Sequence, residues 1–131
     1  APVPPDGRDL FNEAWLRSKL QPGQDAQHVQ ATLLEFTART IRDALEKFLP
    51  GTRRVIACGG GTKNQALMRA LRQMLGPGIL EPSDAHGVDP QLVEALAFAW
   101  LAHQTVLELP GNLPTVTGAA GARVLGAVYP R

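Results

Sequence analysis

Cysteine is almost missing: Cys58 is the one thiol in 131 residues, so no intramolecular disulfide can staple the fold. A lone thiol inside an apolar run fits a reducing compartment, and the cytoplasm is the expected location. An excess of charge of either sign is also missing. Thirteen Lys+Arg against twelve Asp+Glu leave a formal charge of +1, with no long basic run. The electrostatic footprint of a nucleic-acid binder or of an anionic-membrane binder is therefore absent. Nor is there a membrane-length apolar run: the longest, Ala95 to Ala102, holds eight residues, against the roughly 20 that a span requires.

The amino terminus, "APVPPDGRD", has neither the charged n-region nor the apolar h-region of a signal peptide. Its prolines forbid helix at themselves and disfavour it just before, so residues 1–8 are expected to form an extended linker. A chain that opens on such a linker, with no initiating methionine, reads as a fragment. Histidines 28, 86 and 103 share no ligand spacing with one another or with Cys58, so no metal site is expected. No Ser, His and Asp set stands out by spacing, and no catalytic residue is nominated.

What is present is enough apolar content, 44%, for one core. The expected order is a short helix over Asp9 to Leu20, a long amphipathic helix from about Asp25 to Leu49, and a β-branched strand in "RRVIACG". A helix from about Asn64 to Leu75 follows, with Leu67, Met68, Leu71, Met74 and Leu75 on one stripe and Gly76-Pro77 as its stop. A brief strand in "GILEP", the polar loop "SDAHG" and a helix over about Pro90 to Glu108 come next, the last opened by Asp89 as cap with proline at its first position. That helix is apolar nearly all round, which predicts burial on most faces, with Phe98 and Trp100 (and Trp15 near the amino terminus) as core. A glycine- and proline-rich loop leads to a final strand expected over Arg123 to Tyr129. The alternation predicts an α/β fold, a small sheet with packed helices.

Two features invite chemistry. Gly59-Gly60-Gly61 sits between strand and helix, where glycine lets a ligand approach the backbone and the free amides of a helix start attract an anion. The pattern is neither G-x-x-x-x-G-K-[ST] nor G-x-G-x-x-G. A ligand turn and a bare strand-to-helix turn both remain open on residues alone. Asn64 at the helix start is a ligand contact or a plain cap, and Lys63 a phosphate contact or a solvated side chain. Glu94 is the second feature, because its helical neighbours Ala97, Phe98 and Leu101 form an apolar stripe. A carboxylate there meets a cation, lines a ligand site, or simply favours the helix amino terminus. In the terminal loop, Asn112, Thr115, Thr117 and Gly118 are either ligand contacts or a polar surface turn.

Four segments taken in order, "RDLFNEAWL", "VIACGGGTKNQALMRAL", "GVDPQLVEALAFAWLA" and "PGNLPTVTGAAGARVLGAVYP", resemble the carboxy-terminal part of anhydro-N-acetylmuramic acid kinases and cover nearly the whole chain. The resemblance implies one lobe, residues 9–131, of the two-lobed actin-like (ribonuclease H-like) ATPase fold shared with acetate and sugar kinases and heat-shock ATPases. It also implies ATP and Mg2+ as cofactors and an amino sugar substrate. Gly59, Gly60, Gly61 and Asn64 would then lie against the adenosine end of the nucleotide, and Glu94 would face the sugar. The family's glycine-rich "G-T-S-x-D-G" phosphate segment and its aspartate base have no counterpart here, and Asp6-Gly7 does not replace them. The implied partner is an absent amino-terminal lobe. A stand-alone nucleotide-binding or regulatory module is the alternative expectation, and a homodimer formed through Trp100 of the "AFAWLA" helix is a third.

Overall fold

The structure, a computed structural model, describes residues 10–129. The expected linker over 1–8 and the Asp9 start of the first helix lie outside them. The chain separates into two compact units, one through Thr37 and the other from Ala38 on, and each is described by itself.

In the first unit, helix α1 (Glu13–Lys19) begins after Asn12, whose side-chain oxygen accepts the Trp15 amide at 3.0 Å. This capped start falls later than the Asp9 expected from the apolar spacing. Helix α2 (Ala26–Phe48), whose residues from Ala38 on belong to the second unit, begins where the Asp25 carboxylate accepts the Gln27 amide at 2.7 Å. Trp15 meets Phe11 edge-on at 5.0 Å between ring centroids and stacks on Phe36 at 6.3 Å. The three rings form an aromatic cluster in which Phe11 and Phe36 are exposed and Trp15, expected as core, is only half-buried.

The second unit is organised by a parallel β–α–β crossover. Strand β1 (Val55–Ala57) pairs with β2 (Leu80–Pro82) in the register Val55 to Leu80, Ile56 to Glu81 and Ala57 to Pro82. Helix α3 (Gln65–Leu75) makes the crossover and stops at Gly76, which has φ 95°. Parallel neighbours need such a crossover because a tight hairpin can join only antiparallel strands. Met68 and Leu71 lie four and seven residues after Asn64 and so share one face. They are buried with Leu80 and with Ala38 of α2, and Val55 and Ala57 pack against them. Ile56 points to the opposite side of the pleat and is 48% exposed.

Three expectations are corrected. No strand forms over Arg123 to Tyr129; among the described residues the segment is irregular and has no strand to pair with. Its carbonyls go elsewhere: Arg123 accepts the Gly111 amide at 2.9 Å and Leu125 accepts the Thr105 hydroxyl. The helix expected from Pro90 starts later, as α4 (Val93–Val106). Asp89 caps a turn at the Gln91 amide, 2.8 Å, while the Pro90 carbonyl accepts from Gly59 at 2.7 Å. Finally, α4 has no buried residue, with Phe98 64% and Trp100 53% exposed. Periodicity reports how apolar a helix is, whereas burial needs another element to cover it, and among the described residues only the loop after α4 lies against it, at Leu101 and Thr105, leaving both half-buried.

Removing buried volume from the crossover tests its weight. Leu71→Ala is expected to destabilise the protein by about 2–5 kcal/mol, read as a lower urea midpoint by circular dichroism, and a shift no larger than that of the exposed Leu107→Ala would contradict the assignment of the core.

Candidate functional site

The glycine turn occupies the carboxyl end of β1, the edge of an α/β sheet where ligands characteristically bind. Gly59 has φ 80° and ψ −175°, an extended conformation with positive φ that is essentially confined to glycine, and starts a 3-10 turn over Gly60–Lys63. Both of its backbone groups are used. Its N–H donates to the Pro90 carbonyl at 2.7 Å. Its carbonyl accepts from the Thr62 amide at 3.2 Å, the Thr62 hydroxyl at 2.7 Å and the Gln91 side-chain amide at 2.9 Å.

Gly60 and Gly61 differ from Gly59. They open the 3-10 turn, where a helix start leaves amides without internal acceptors. A Cβ built at Gly60 would meet nothing within 4 Å, and one at Gly61 would meet only Leu67 Cδ2 at 3.9 Å. The space above the turn is open, so the glycines are not demanded by protein packing. Asn64 accepts the Leu67 amide at 3.1 Å through Oδ1, which makes it the cap of α3. Beside the turn is a groove of about 430 Å3, with Thr62, Gln65, Arg69, Arg72, Asp84 and Pro90 in its walls.

Glu94 is exposed in the first turn of α4 and makes no hydrogen bond or ion pair among the described residues. Its nearest apolar neighbours, Ala97 and Phe98, are themselves exposed, so the carboxylate needs no partner in this chain, and its position at a helix amino terminus is electrostatically favourable. The loop before α4 bonds to Gly59 through Pro90 and Gln91, so Glu94 begins three residues beyond a segment tied to the turn.

The terminal loop is closed by its own polar groups. Asn112 donates to the Gly121 carbonyl at 3.0 Å and accepts the Arg123 amide at 2.6 Å. Helix α5 (Pro114–Thr117) is a single turn capped by Gly118 at φ 70°. Asn112 and Thr117, candidate ligand contacts in the sequence, thus spend side-chain groups on the loop itself. Among the described residues no three His, Cys, Asp or Glu side chains converge as a metal-binding group, and no helix is long and apolar enough to cross a membrane.

Thr62 and Gln91 were missed as turn-shaping residues. Thr62 follows the glycines directly, but nothing in local spacing links Gln91 to a carbonyl 32 residues away.

The geometry first defines a class: a mixed α/β chain built on a parallel crossover, with an open glycine turn at the carboxyl end of its first strand. Comparison with known proteins makes this particular. The family model for anhydro-N-acetylmuramic acid kinase matches residues 1–131, and the chain belongs to that family. It is similar to the anhydro-N-acetylmuramic acid kinase of Pseudomonas putida, 52% identical over 126 residues that make up 95% of this chain and 35% of that protein. The Bordetella petrii protein of the same name is 52% identical over 128 residues, 95% of this chain and 34% of that protein. The one from Burkholderia orbicola is 50% identical over 138 residues, with 100% and 36% covered. The chain therefore spans about a third of the length of the curated relatives it matches.

Two substitutions separate conformation from space in the turn. Gly59→Ala imposes a side chain in a conformation essentially confined to glycine and is expected to destabilise by about 1–3 kcal/mol, whereas Gly60→Ala should leave the urea midpoint nearly unchanged. For the cap, Asn64→Ala should cost about 1 kcal/mol and Asn64→Ser much less; equal losses in the same denaturation experiment would remove Asn64 from a capping role.

Proposed function

We propose that this chain is the carboxy-terminal lobe of an ATP-dependent kinase that hydrolyses the anhydro ring of 1,6-anhydro-N-acetylmuramic acid and phosphorylates O6. The products are N-acetylmuramic acid 6-phosphate and ADP, a step of bacterial cell-wall recycling in the cytoplasm. The observation that carries the reading is family membership over the whole chain combined with a glycine turn whose outer face is open. On this reading residues 9–131 have the actin-like lobe fold, and the adenosine end of ATP lies against Gly60 and Gly61, with Gly59 and Asn64 shaping the turn. Gly59 and Asn64 support the nucleotide indirectly, since the Gly59 amide and the Asn64 Oδ1 are already bonded.

The residues present fit the nucleoside end of a nucleotide. Glycines without a close neighbour allow a flat ring to approach the backbone, and the groove of about 430 Å3 beside Thr62 has room for a nucleoside. ATP supplies the phosphoryl group, and Mg2+ is normally held through the nucleotide phosphates in phosphoryl transfer. No residue here is assigned to the metal. Glu94 is assigned to the sugar side, where a carboxylate can accept hydrogen bonds from hydroxyl groups.

The grip on the phosphates and the base that activates water belong to an amino-terminal lobe outside this sequence. Exposed apolar residues of α4, Leu96, Phe98 and Trp100 among them, support a larger assembly, because apolar patches of this kind mark surfaces that are covered in use. A homodimer through Trp100 is the competing way to cover them.

The test is an assay of ATP-dependent conversion of the anhydro sugar, with ADP release and the 6-phosphate product both measured. The full reading frame containing this segment is expected to turn over, and the 131-residue chain alone is not. Robust turnover by the isolated chain, or none by the full protein, would refute the lobe assignment.

A further inference from the structure

The glycine turn is held by a residue far away in sequence. Gln91 lies in the turn that precedes α4, and its side-chain amide donates to the Gly59 carbonyl at 2.9 Å, with Thr62 Oγ1 3.4 Å from the same nitrogen. Its own backbone amide is fixed by the Asp89 carboxylate at 2.8 Å, and the preceding Pro90 carbonyl receives the Gly59 N–H at 2.7 Å. Gly59 is thereby gripped on both of its polar groups by two adjacent residues of one loop. The clamp leaves Gly60 and Gly61 untouched and sets where the Gly60 amide points, because the peptide plane between Gly59 and Gly60 carries the clamped carbonyl at one end and the Gly60 N–H at the other.

We propose that Gln91 is a positioning residue for the nucleotide: it sets the orientation of the Gly59–Gly60 peptide, so that the Gly60 amide opening the 3-10 turn is presented to the nucleoside end of ATP. The inference rests on the assignment of the turn to the nucleotide made above, and extends it to a residue without contact to the ligand. The clamp also joins two parts of the proposed cleft. Gln91 stands three residues before Glu94 in one short connection, so the group that steadies the turn belongs to the segment that carries the carboxylate expected at the sugar.

Gln91 is exposed, and an exposed side-chain bond contributes little to overall stability. Its loss should therefore act on ligand geometry more than on folding. That distinction separates a positioning role from a merely structural one. Leucine keeps the bulk without a donor. Glutamate keeps the shape but turns a carboxylate toward a carbonyl oxygen, which is repulsive at neutral pH. Lysine restores a donor of similar reach.

The experiment uses the full reading frame that contains this segment, with KM for ATP, KM for the anhydro sugar, kcat and the thermal midpoint measured for wild type, Gln91→Leu, Gln91→Glu and Gln91→Lys. The expected result is a rise of about 3- to 10-fold in the KM for ATP for Gln91→Leu, in line with one lost hydrogen bond. A larger rise is expected for Gln91→Glu and near-wild-type behaviour for Gln91→Lys, with kcat within about twofold and the thermal midpoint unchanged in all three. A KM for ATP that stays the same in Gln91→Leu and Gln91→Glu overturns the positioning role, as does a fall in thermal midpoint that accounts for the loss in every variant. Wild-type protein that neither binds nor uses ATP refutes the nucleotide assignment itself. Amide hydrogen exchange at Gly59 and Thr62 separates the two failures. Faster exchange in Gln91→Leu shows that the clamp is real whatever the turn holds, and unchanged exchange sinks the clamp.

Discussion

The burial of Met68 and Leu71 against the strand pair is the constraint on which the rest of the second unit depends. Two parallel strands of three residues each have too few ladder bonds to persist alone. They are held in register because α3 crosses from the end of one to the start of the other and lays an apolar face over both. Asn64 and Gly76 mark the ends of that helix, by a side-chain cap at one and a glycine of positive φ at the other. With strand and helix fixed, the four residues Gly60–Lys63 have little freedom. The turn is a consequence of the crossover rather than an independent motif.

Within the turn, the accounting of backbone polar groups decides which atoms are available for chemistry. Gly59 has none to spare, since its amide and carbonyl are bonded to the loop before α4 and to Thr62. Gly60 and Gly61 carry the accessible amides and the open space. A sequence of three identical residues thus divides into one that is structural and two that can meet a ligand, a division made by a positive φ and by partners distant along the chain.

The apolar surface of α4 follows from the same logic at a larger scale. Its residues are as apolar as those of a core helix, yet Leu96, Phe98 and Trp100 stand in water. Glu94, which on sequence looked misplaced among apolar neighbours, is unremarkable in electrostatic terms once that stripe is seen to be exposed. The cost of burying a carboxylate arises only if another surface covers it.

How much could be read without the fold is clear from particular elements. Helices α2 and α3 were legible because their apolar positions recur at three and four residues, and a local repeat needs no knowledge of the neighbours. The α3 boundaries were legible because Asn64 and Gly76 act on the adjacent backbone. The glycine turn was visible as a place, and ordered similarity across four segments identified the family. The final strand was misjudged because a β-branched run becomes a strand only when another strand accepts its hydrogen bonds, and Arg123 and Leu125 bond to a loop and a helix instead. The α4 start and the Gln91 clamp were hidden for a related reason: each is set by Gly59, more than 30 residues upstream. The sequence by itself determined the elements whose causes are local, namely periodic faces, caps and glycine stops. Only the tertiary structure decided which of those faces are covered and which amides remain free, because burial and hydrogen-bond partners belong to pairs of segments and not to either one alone.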